Sequence, residues 1–162
     1  MSRPRLEVMQ TGDAARVIRH TAQVRVRYAD TDQMQIVWHG KYLEYFELGR
    51  TELLRECGLP YASMESAGVR LPLVEAHCRY HAPARYDDIL LIESSVCDYR
   101  SPRLRIDYRI ATVEAPDRTL VTGHTVHAFQ DVTTGRPVRP HPPFVALLDS
   151  IIASSESRNV LS

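Results

Sequence analysis

The sequence contains little that would assign it to a membrane, a disulfide scaffold or a nucleic acid. Its three cysteines, Cys57, Cys78 and Cys97, are odd in number and widely spaced, which excludes a disulfide framework and a paired-cysteine metal motif. No apolar run reaches the roughly 18 residues that a membrane span requires, and residues 1–20 lack the apolar core of a secretory signal. Twenty basic and twenty acidic residues cancel, so no basic field favours nucleic acid. We therefore expect a cytoplasmic protein with free thiols, no membrane span and no nucleic-acid partner.

Sequence motifs of several common enzyme classes are also absent. No GxxxxGK, GxSxG or HExxH pattern occurs, which excludes P-loop, α/β-hydrolase and zinc-peptidase classes. The close histidine pairs are His77 with His81 and His124 with His127. On a strand, residues four apart lie about 13 Å from each other and residues three apart face opposite sides. Neither pair has the spacing of a ligand set, so we predict no metal site.

The clearest element that the sequence does contain is a helix from about Trp38 to Cys57. Apolar residues recur there at helical spacing, and Gly58 followed by Pro60 ends the pattern. The apolar stripe consists of Tyr42, Tyr45, Phe46, Gly49, Leu53, Leu54 and Cys57. Because a glycine inside a helix costs about 1 kcal/mol relative to alanine, Gly49 indicates the close approach of another backbone at this point, such as that of a sheet wrapped around the helix.

Alternating apolar and polar residues predict strands on both sides of this helix. Val24 to Ala29 precedes it, with Val24, Val26 and Tyr28 on the buried face. Four strands follow, at Leu71–Tyr80, Ile89–Val96, 103–110 and Leu120–Val132. Short turns join most of them, so they are antiparallel. We predict an α+β fold in which a five-stranded antiparallel sheet wraps around one long central helix.

This pattern also predicts how the chain is divided. We assign residues 1–20 to an N-terminal extension, 21–135 to the domain, 136–153 to an arm with a short helix, and 154–162 to a disordered tail. A single helix cannot cover the outer face and edge of a five-stranded sheet. We therefore expect a homo-oligomer.

Residues 27–42, RYADTDQMQIVWHGKY, resemble the signature of the 4-hydroxybenzoyl-CoA thioesterase family, especially its Tol–Pal-associated branch. The resemblance covers about residues 20–135 and includes Leu43–Glu47, Arg50, Leu71–Val74 and Pro83–Asp88. It implies a hotdog fold and hydrolysis of acyl-CoA with no metal or other cofactor, coenzyme A being part of the substrate. It also implies a dimer or a dimer of dimers (a homotetramer) with active sites between subunits.

The resemblance further assigns roles to single residues. Asp32 corresponds to the catalytic carboxylate of the family, and Tyr28 and His39 correspond to a tyrosine and a histidine of its active site. Members commonly have glycine three residues after the catalytic aspartate, where this sequence has Gln35. We expect Gln35 either to narrow the acyl pocket or to supply an amide hydrogen bond there, and thereby to affect acyl preference.

These roles agree with elementary chemistry. A helix N-terminus presents unpaired N–H groups and a positive dipole, which stabilise the oxyanion of a thioester under attack; the backbone N–H of His39 is the candidate donor. Asp32 just before the helix can act as nucleophile or general base, and the sequence leaves both open. By position alone Asp32 is equally a loop or capping residue, and Asp30 a turn-stabilising one.

We predict that the substrate is a short or medium aliphatic or an aromatic acyl-CoA. Arginines near turns are expected to hold the coenzyme A phosphates, and residues 71–74 of the partner subunit to line the acyl tunnel. The predicted substrate-binding residues are Gln35, Val37, Trp38, Leu71, Pro72, Val74, Arg85, Arg100 and Arg103. Two alternatives remain at this stage, a thioesterase acting on acyl-carrier protein and a hotdog protein that binds acyl-CoA without turning it over.

Overall fold

The fold is taken from a computed structural model, which describes residues 6–11 and 16–160, with side chains up to residue 156. Its strands are β1 (Glu7–Gln10), β2 (Arg16–Arg25), β3 (Val69–Arg70), β4 (Leu73–Tyr80), β5 (Ile89–Val96), β6 (Arg103–Thr112), β7 (Val121–Ala128) and β8 (Gln130–Asp131). Its helices are α1 (Lys41–Glu56), α2 (Tyr61–Ser66) and α3 (Pro142–Val160), with a short 3-10 helix at Tyr28–Asp30. The predicted α+β class with an antiparallel sheet is confirmed.

The main sheet of the described residues has six strands in the order β1-β2-β5-β6-β7-β4, all antiparallel, and β3 and β8 form a separate pair. The prediction of five strands was wrong, because β1 adds a further strand by pairing with the first half of β2. The prediction of one long helix was incomplete, because α3 is longer than α1. In the described part of the chain, no helix combines the length and apolarity needed to cross a membrane.

Helix α1 packs its apolar stripe on the inner face of the sheet. Tyr42, Tyr45, Phe46 and Leu53 are all buried there. A Cβ added at Gly49 would collide with the Ser94 hydroxyl and lie 2.7 Å from Cγ2 of Ile92, both on β5. The sheet therefore approaches the helix closely at Gly49, as predicted, but the contact is made by side chains and not by another backbone.

Strand β2 begins and ends earlier than the sequence pattern indicated. Its first half includes residues 16–20, which had been assigned to an extension; residues 1–5 and 12–15 of that extension lie outside the described residues. The inward-facing positions there include a polar residue, His20, which faces Ser94 of β5 in the core. Among the described residues neither side chain has a hydrogen-bond partner, and burial lowers the pKa of His20. A buried polar residue interrupts an apolar alternation, so the strand was missed.

The predicted position of the end of the first strand, at Ala29, was wrong, because the strand ends at Arg25. Beyond Arg25 the chain leaves the sheet and turns at Tyr28–Asp30, because a carboxylate oxygen of Asp30 accepts the backbone N–H of Arg27 at 2.9 Å. Tyr28 is consequently 80% exposed and does not face the core.

Helix α3 covers one end of the core and continues through residues predicted as a disordered tail, of which 161 and 162 lie outside the described residues. Phe144 and Leu148 are buried, and Phe144 packs 5.7 Å from the ring of Phe129. Near its far end, Glu156 forms an ion pair with Arg16 of β2 at 2.8 Å. The buried Phe144 and Leu148 attach the start of α3 to the core, and the Arg16–Glu156 ion pair holds its polar second half against β2.

Candidate active site

The loop before α1 is anchored by Asp30, which is only 3% exposed. Its carboxylate accepts hydrogen bonds from the backbone and side chain of Arg27, from Tyr45 Oη at 3.2 Å and from Lys41 Nζ at 3.2 Å. Burial by itself raises the pKa of Asp30, but these donors outweigh it and lower the pKa to about 2. Asp30 is therefore a fixed anion that holds the 3-10 turn to the start of α1.

Asp32 lies two residues further, where the chain folds back on itself. Its backbone N–H donates to the Ile36 carbonyl at 3.0 Å, and Thr31 forms a bridge with Val37. One carboxylate oxygen of Asp32, Oδ1, accepts the backbone N–H of Met34 at 2.8 Å. The turn thus fixes the carboxylate through one oxygen, and the side chain lines a cavity.

Gln35 occupies the tightest position of this turn, with a φ of 61°. That left-handed conformation is one that glycine adopts at no steric cost and other residues adopt rarely. Gln35 is exposed, and it is not among the residues that line the cavity beside Asp32. The common glycine at this position is therefore explained by backbone geometry, and the predicted contact of Gln35 with the substrate stays a prediction.

Replacing Gln35 by glycine should stabilise the protein by about 0.5–1 kcal/mol. Relief of a left-handed strain of roughly 1–2 kcal/mol is partly offset by the greater backbone freedom of glycine in the unfolded chain. Urea unfolding at neutral pH measures the change. Gln33→Gly, at an exposed position without positive φ, is the matched control and should destabilise; equal effects of the two would show that Gln35 carries no strain.

The cavity beside Asp32 has a volume of about 280 Å³. It is lined by Asp32, Met34, Ile36, Val37, His39, Tyr42, Tyr80, His81, Ala82 and Pro83. Three predicted site residues, Asp32, Val37 and His39, are therefore brought together. The sequence pattern indicated Tyr42 only as a core residue. Tyr80 and His81 lie at and just after the end of β4, far from Asp32 in the sequence, so no local pattern connects them to it.

The start of α1 forms one wall of this cavity. Gly40 caps the helix with helical backbone angles, so His39 precedes the first turn rather than lying within it. The Trp38 N–H donates to the Asp30 carbonyl and the Lys41 N–H to the Trp38 carbonyl, both at 2.9 Å. In the part of the chain that the structure describes, the N–H groups of His39 and Gly40 have no such partner. Both lie beside the positive end of the helix dipole, where they can donate to a ligand.

Two tyrosines stiffen the same wall. The Tyr80 hydroxyl donates to the His39 carbonyl at 2.9 Å, and the Ala84 N–H donates to the Tyr42 hydroxyl at 3.2 Å. Their rings meet edge to face at 5.6 Å, and burial raises the pKa of Tyr42. The carbonyl of His39 is thereby held by Tyr80, at the end of β4.

Other predicted site residues lie outside this cavity. Tyr28 contacts Tyr86 edge to face at 5.9 Å on the surface, and Trp38 is half exposed over Gly40. Arg100 forms two hydrogen bonds with Asp149 of α3, at 2.6 and 2.7 Å. A phosphate bound by Arg100 would have to replace these hydrogen bonds. The remaining ones are the exposed Val74, Arg85 and Arg103, the half-buried Pro72, and Leu71, which lines a second cavity. Their roles in substrate binding stay predictions.

The cavity combines a carboxylate, histidines and tyrosines with apolar side chains. Within residues 6–11 and 16–160, no three His, Cys, Asp or Glu side chains are placed to hold a metal ion. Asp32 and His39 line one cavity beside the start of α1. Residues 26–148 match the Thioesterase-like superfamily, and the chain belongs to this family.

Individual relatives agree with this assignment. Over 122 residues the chain is 33% identical to a putative esterase of Synechocystis, covering 75% of this chain and 73% of that protein. It is 38% identical over 88 residues to the putative acyl-CoA thioesterase YneP of Bacillus subtilis, a match covering 54% of this chain and 64% of YneP. A Thermus thermophilus crystal structure, hypothetical protein TT1821, superposes with a TM-score of 0.74 at 32% identity, covering 80% and 97% of the two chains. The predicted family and the enzyme class, thioester hydrolase, are confirmed.

Proposed function

We propose that this protein hydrolyses acyl-CoA thioesters to a free acid and coenzyme A. The observation that carries the proposal is that the Asp32 carboxylate and the available His39 N–H line the same cavity at the start of α1. Related proteins named as acyl-CoA thioester hydrolases, such as YbgC of Escherichia coli at 34% identity over 91 residues, support the choice of thioester.

The proposed chemistry assigns one role to each side of the cavity. As a nucleophile, Asp32 attacks the thioester carbonyl, the C–S bond breaks, the thiolate of coenzyme A leaves, and water then hydrolyses the mixed anhydride to release the acid. As a general base, Asp32 removes a proton from a water that attacks the carbonyl, and the C–S bond breaks to release the acid and the thiolate. Negative charge on the carbonyl oxygen is stabilised by the His39 N–H, and such a donor typically contributes about 2.7–4 kcal/mol. The reaction needs no metal or further cofactor.

The size and lining of the cavity favour a small acyl group. Its volume of about 280 Å³ lies just below the range of typical ligand pockets, roughly 300–1,000 Å³. Met34, Ile36, Val37 and Ala82 give it an apolar surface. We propose that it receives a short or medium aliphatic or an aromatic acyl group, while most of the coenzyme A lies outside.

We further propose that the protein works as a dimer, or a dimer of dimers, joined through β4. This strand is the last of the sheet and exposes Leu73, Val74 and Tyr80 at 56%, 48% and 49%. An exposed apolar edge strand readily pairs with another strand, and a second copy of β4 is the self-complementary partner that two-fold symmetry supplies. Light scattering at micromolar concentration should give a dimer or tetramer; a monomer would contradict the arrangement.

A panel of acyl-CoA substrates, assayed with a thiol-detecting reagent, tests the proposed function directly. Acetyl, hexanoyl, decanoyl and benzoyl thioesters of coenzyme A cover the proposed range, and we expect turnover of at least one of the shorter or aromatic members. The same acyl groups loaded on acyl-carrier protein form the second arm. Faster turnover on the carrier would replace the proposed substrate, and binding without turnover in either arm would reduce the protein to an acyl-CoA-binding protein.

A further inference from the structure

The peptide between His39 and Gly40, at the start of α1, is held by a residue from outside the helix. Among the described residues no backbone N–H donates to the His39 carbonyl, and its donor is the Tyr80 hydroxyl at 2.9 Å. Tyr80 lies at the end of β4, 41 residues further along the chain. This peptide is trans, so its carbonyl and its N–H share a plane and point in opposite directions. By fixing the His39 carbonyl, the hydroxyl therefore also fixes the direction of the Gly40 N–H.

The preceding peptide, between Trp38 and His39, is fixed by the start of the helix itself. Its carbonyl accepts the Lys41 N–H at 2.9 Å, which closes a turn from Trp38 to Lys41. Within this turn Gly40 has a φ of −68° and a ψ of −21°, close to the angles of a type I turn or a helix, in which successive peptide dipoles point the same way. In the described part of the chain neither the His39 N–H nor the Gly40 N–H has an acceptor. The start of α1 thus presents two consecutive donors, each in a peptide whose carbonyl is held.

Tyr80 is suited to donate this hydrogen bond across the neutral pH range. Its ring packs edge to face on Tyr42 at 5.6 Å, which positions the hydroxyl, and its partner is a carbonyl oxygen, which can only accept. Burial, followed by the neighbouring Cys78 thiol, raises the pKa of Tyr80 to about 12. The hydroxyl therefore keeps its proton and acts as a donor to His39.

A hydrogen bond to a peptide carbonyl also strengthens the N–H of the same peptide. It draws electron density away from the nitrogen, and linked hydrogen bonds polarise one another in this way. Tyr80, His39 and Asp32 line the same cavity. The oxygen of a thioester gains negative charge as the carbonyl is attacked, so an oriented and strengthened N–H stabilises the transition state more than the bound substrate.

We infer that Tyr80 is a positioning residue of the hydrolysis: through the His39 carbonyl it orients the Gly40 N–H as a second donor, beside the His39 N–H, to the oxygen of the thioester carbonyl. The inference rests on the proposed function and goes beyond it, since that function requires only one donor. Tyr80 itself does not touch the reacting atoms. Removal of its hydroxyl should therefore slow the chemical step and leave the binding of the substrate unchanged.

Tyr80→Phe tests this role, because it removes the hydroxyl and keeps the ring that packs on Tyr42. With the best substrate of the panel we expect kcat to fall about tenfold at an unchanged KM, less than the hundredfold or more lost with an oxyanion donor itself, because the Gly40 N–H remains and loses only its orientation. The Kd of S-benzyl-CoA, a thioether with no carbonyl oxygen, should stay within about twofold of the wild-type value. Tyr86→Phe, which removes a hydroxyl from a ring that is 58% exposed, is the matched control and should keep the wild-type kcat.

The carbonyl stretch of the bound substrate measures the polarisation directly. The same substrate, labelled with carbon-13 at its carbonyl, is bound to Asp32→Asn, in which turnover is slow, and followed by infrared difference spectroscopy. Binding should lower the stretching frequency, because hydrogen bonds to the oxygen weaken the C=O bond, and adding Tyr80→Phe should reverse part of that shift. A residue that only supports the fold would leave the frequency unchanged.

An unchanged kcat in Tyr80→Phe would overturn the inference. A raised KM at an unchanged kcat would also overturn it, because Tyr80 would then only form a wall of the cavity, and so would a lowered kcat with an unshifted carbonyl stretch. These three results leave the proposed function standing, since that function is tested on the wild type alone. No hydrolysis of any member of the panel by the wild type would instead overturn the proposed function itself.

Discussion

Asp32→Asn is expected to lower kcat by at least about a hundredfold, the range of a positioned acid–base group. An asparagine is neither a base nor a nucleophile, but its oxygen can still accept the Met34 N–H that shapes the turn. Substrate binding and folding should therefore change little. Initial rates of thiol release from the best substrate of the panel measure kcat, and thermal unfolding checks that the fold is intact.

Asp117→Asn is the matched control, because Asp117 is an exposed aspartate in the turn between β6 and β7. It removes the same charge from the surface and should leave kcat within about twofold of the wild type. Hydrolysis at the wild-type rate in Asp32→Asn would remove Asp32 from the reaction, and the site would then have to act through another group.

Asp30→Asn, two residues away, should act on stability, lowering the free energy of unfolding by about 2–3 kcal/mol at neutral pH. The reason is its surroundings: Lys41 and Tyr45 lose a charged acceptor that is nearly fully buried. One pKa unit corresponds to about 1.4 kcal/mol, and the pKa of Asp30 falls from 3.8 to about 2 on folding. Urea unfolding at pH 7 measures the loss.

The pH dependence gives a second measurement of the same interaction. Because folding lowers the pKa of Asp30, its contribution is complete above about pH 4 and is lost as the pH falls towards 2. The difference in stability between the wild type and Asp30→Asn should shrink over that interval. A constant difference from pH 7 to pH 2, or equal midpoints at pH 7, would contradict the assigned role of Asp30.

Several elements were predictable because their signals are local. The strand Ile89–Val96 has the predicted bounds, since it begins with four consecutive apolar residues. Helix α1 lies within the predicted range, and the close approach at Gly49 follows from the cost of a glycine in a helix. The early start of β2 was missed because it pairs with the distant β5 and because His20 faces inward. Strand β1 was missed with it, because β1 pairs with that part of β2.

The residues of the candidate site likewise include some that are close in sequence and some that only the packing brings together. Asp32 and His39 lie on one short loop, so their proximity followed from the motif. Tyr80 and His81 reach the cavity from β4. Such contacts arise from sheet order and strand register, which a pattern of local periodicity does not contain. Arg100 appeared free in the sequence and is paired with Asp149 in the fold.

The sequence by itself determined the fold class, the family and the aspartate of the proposed reaction, because periodicity and a contiguous motif record what neighbouring residues do. The tertiary structure decided the rest. It showed that Asp30 is held by Arg27, Lys41 and Tyr45, whereas Asp32 lines a cavity. It also showed that the backbone at Gln35 has the left-handed conformation that favours glycine. Charge, burial and partners are set by residues far apart in the chain, so only packing assigns them.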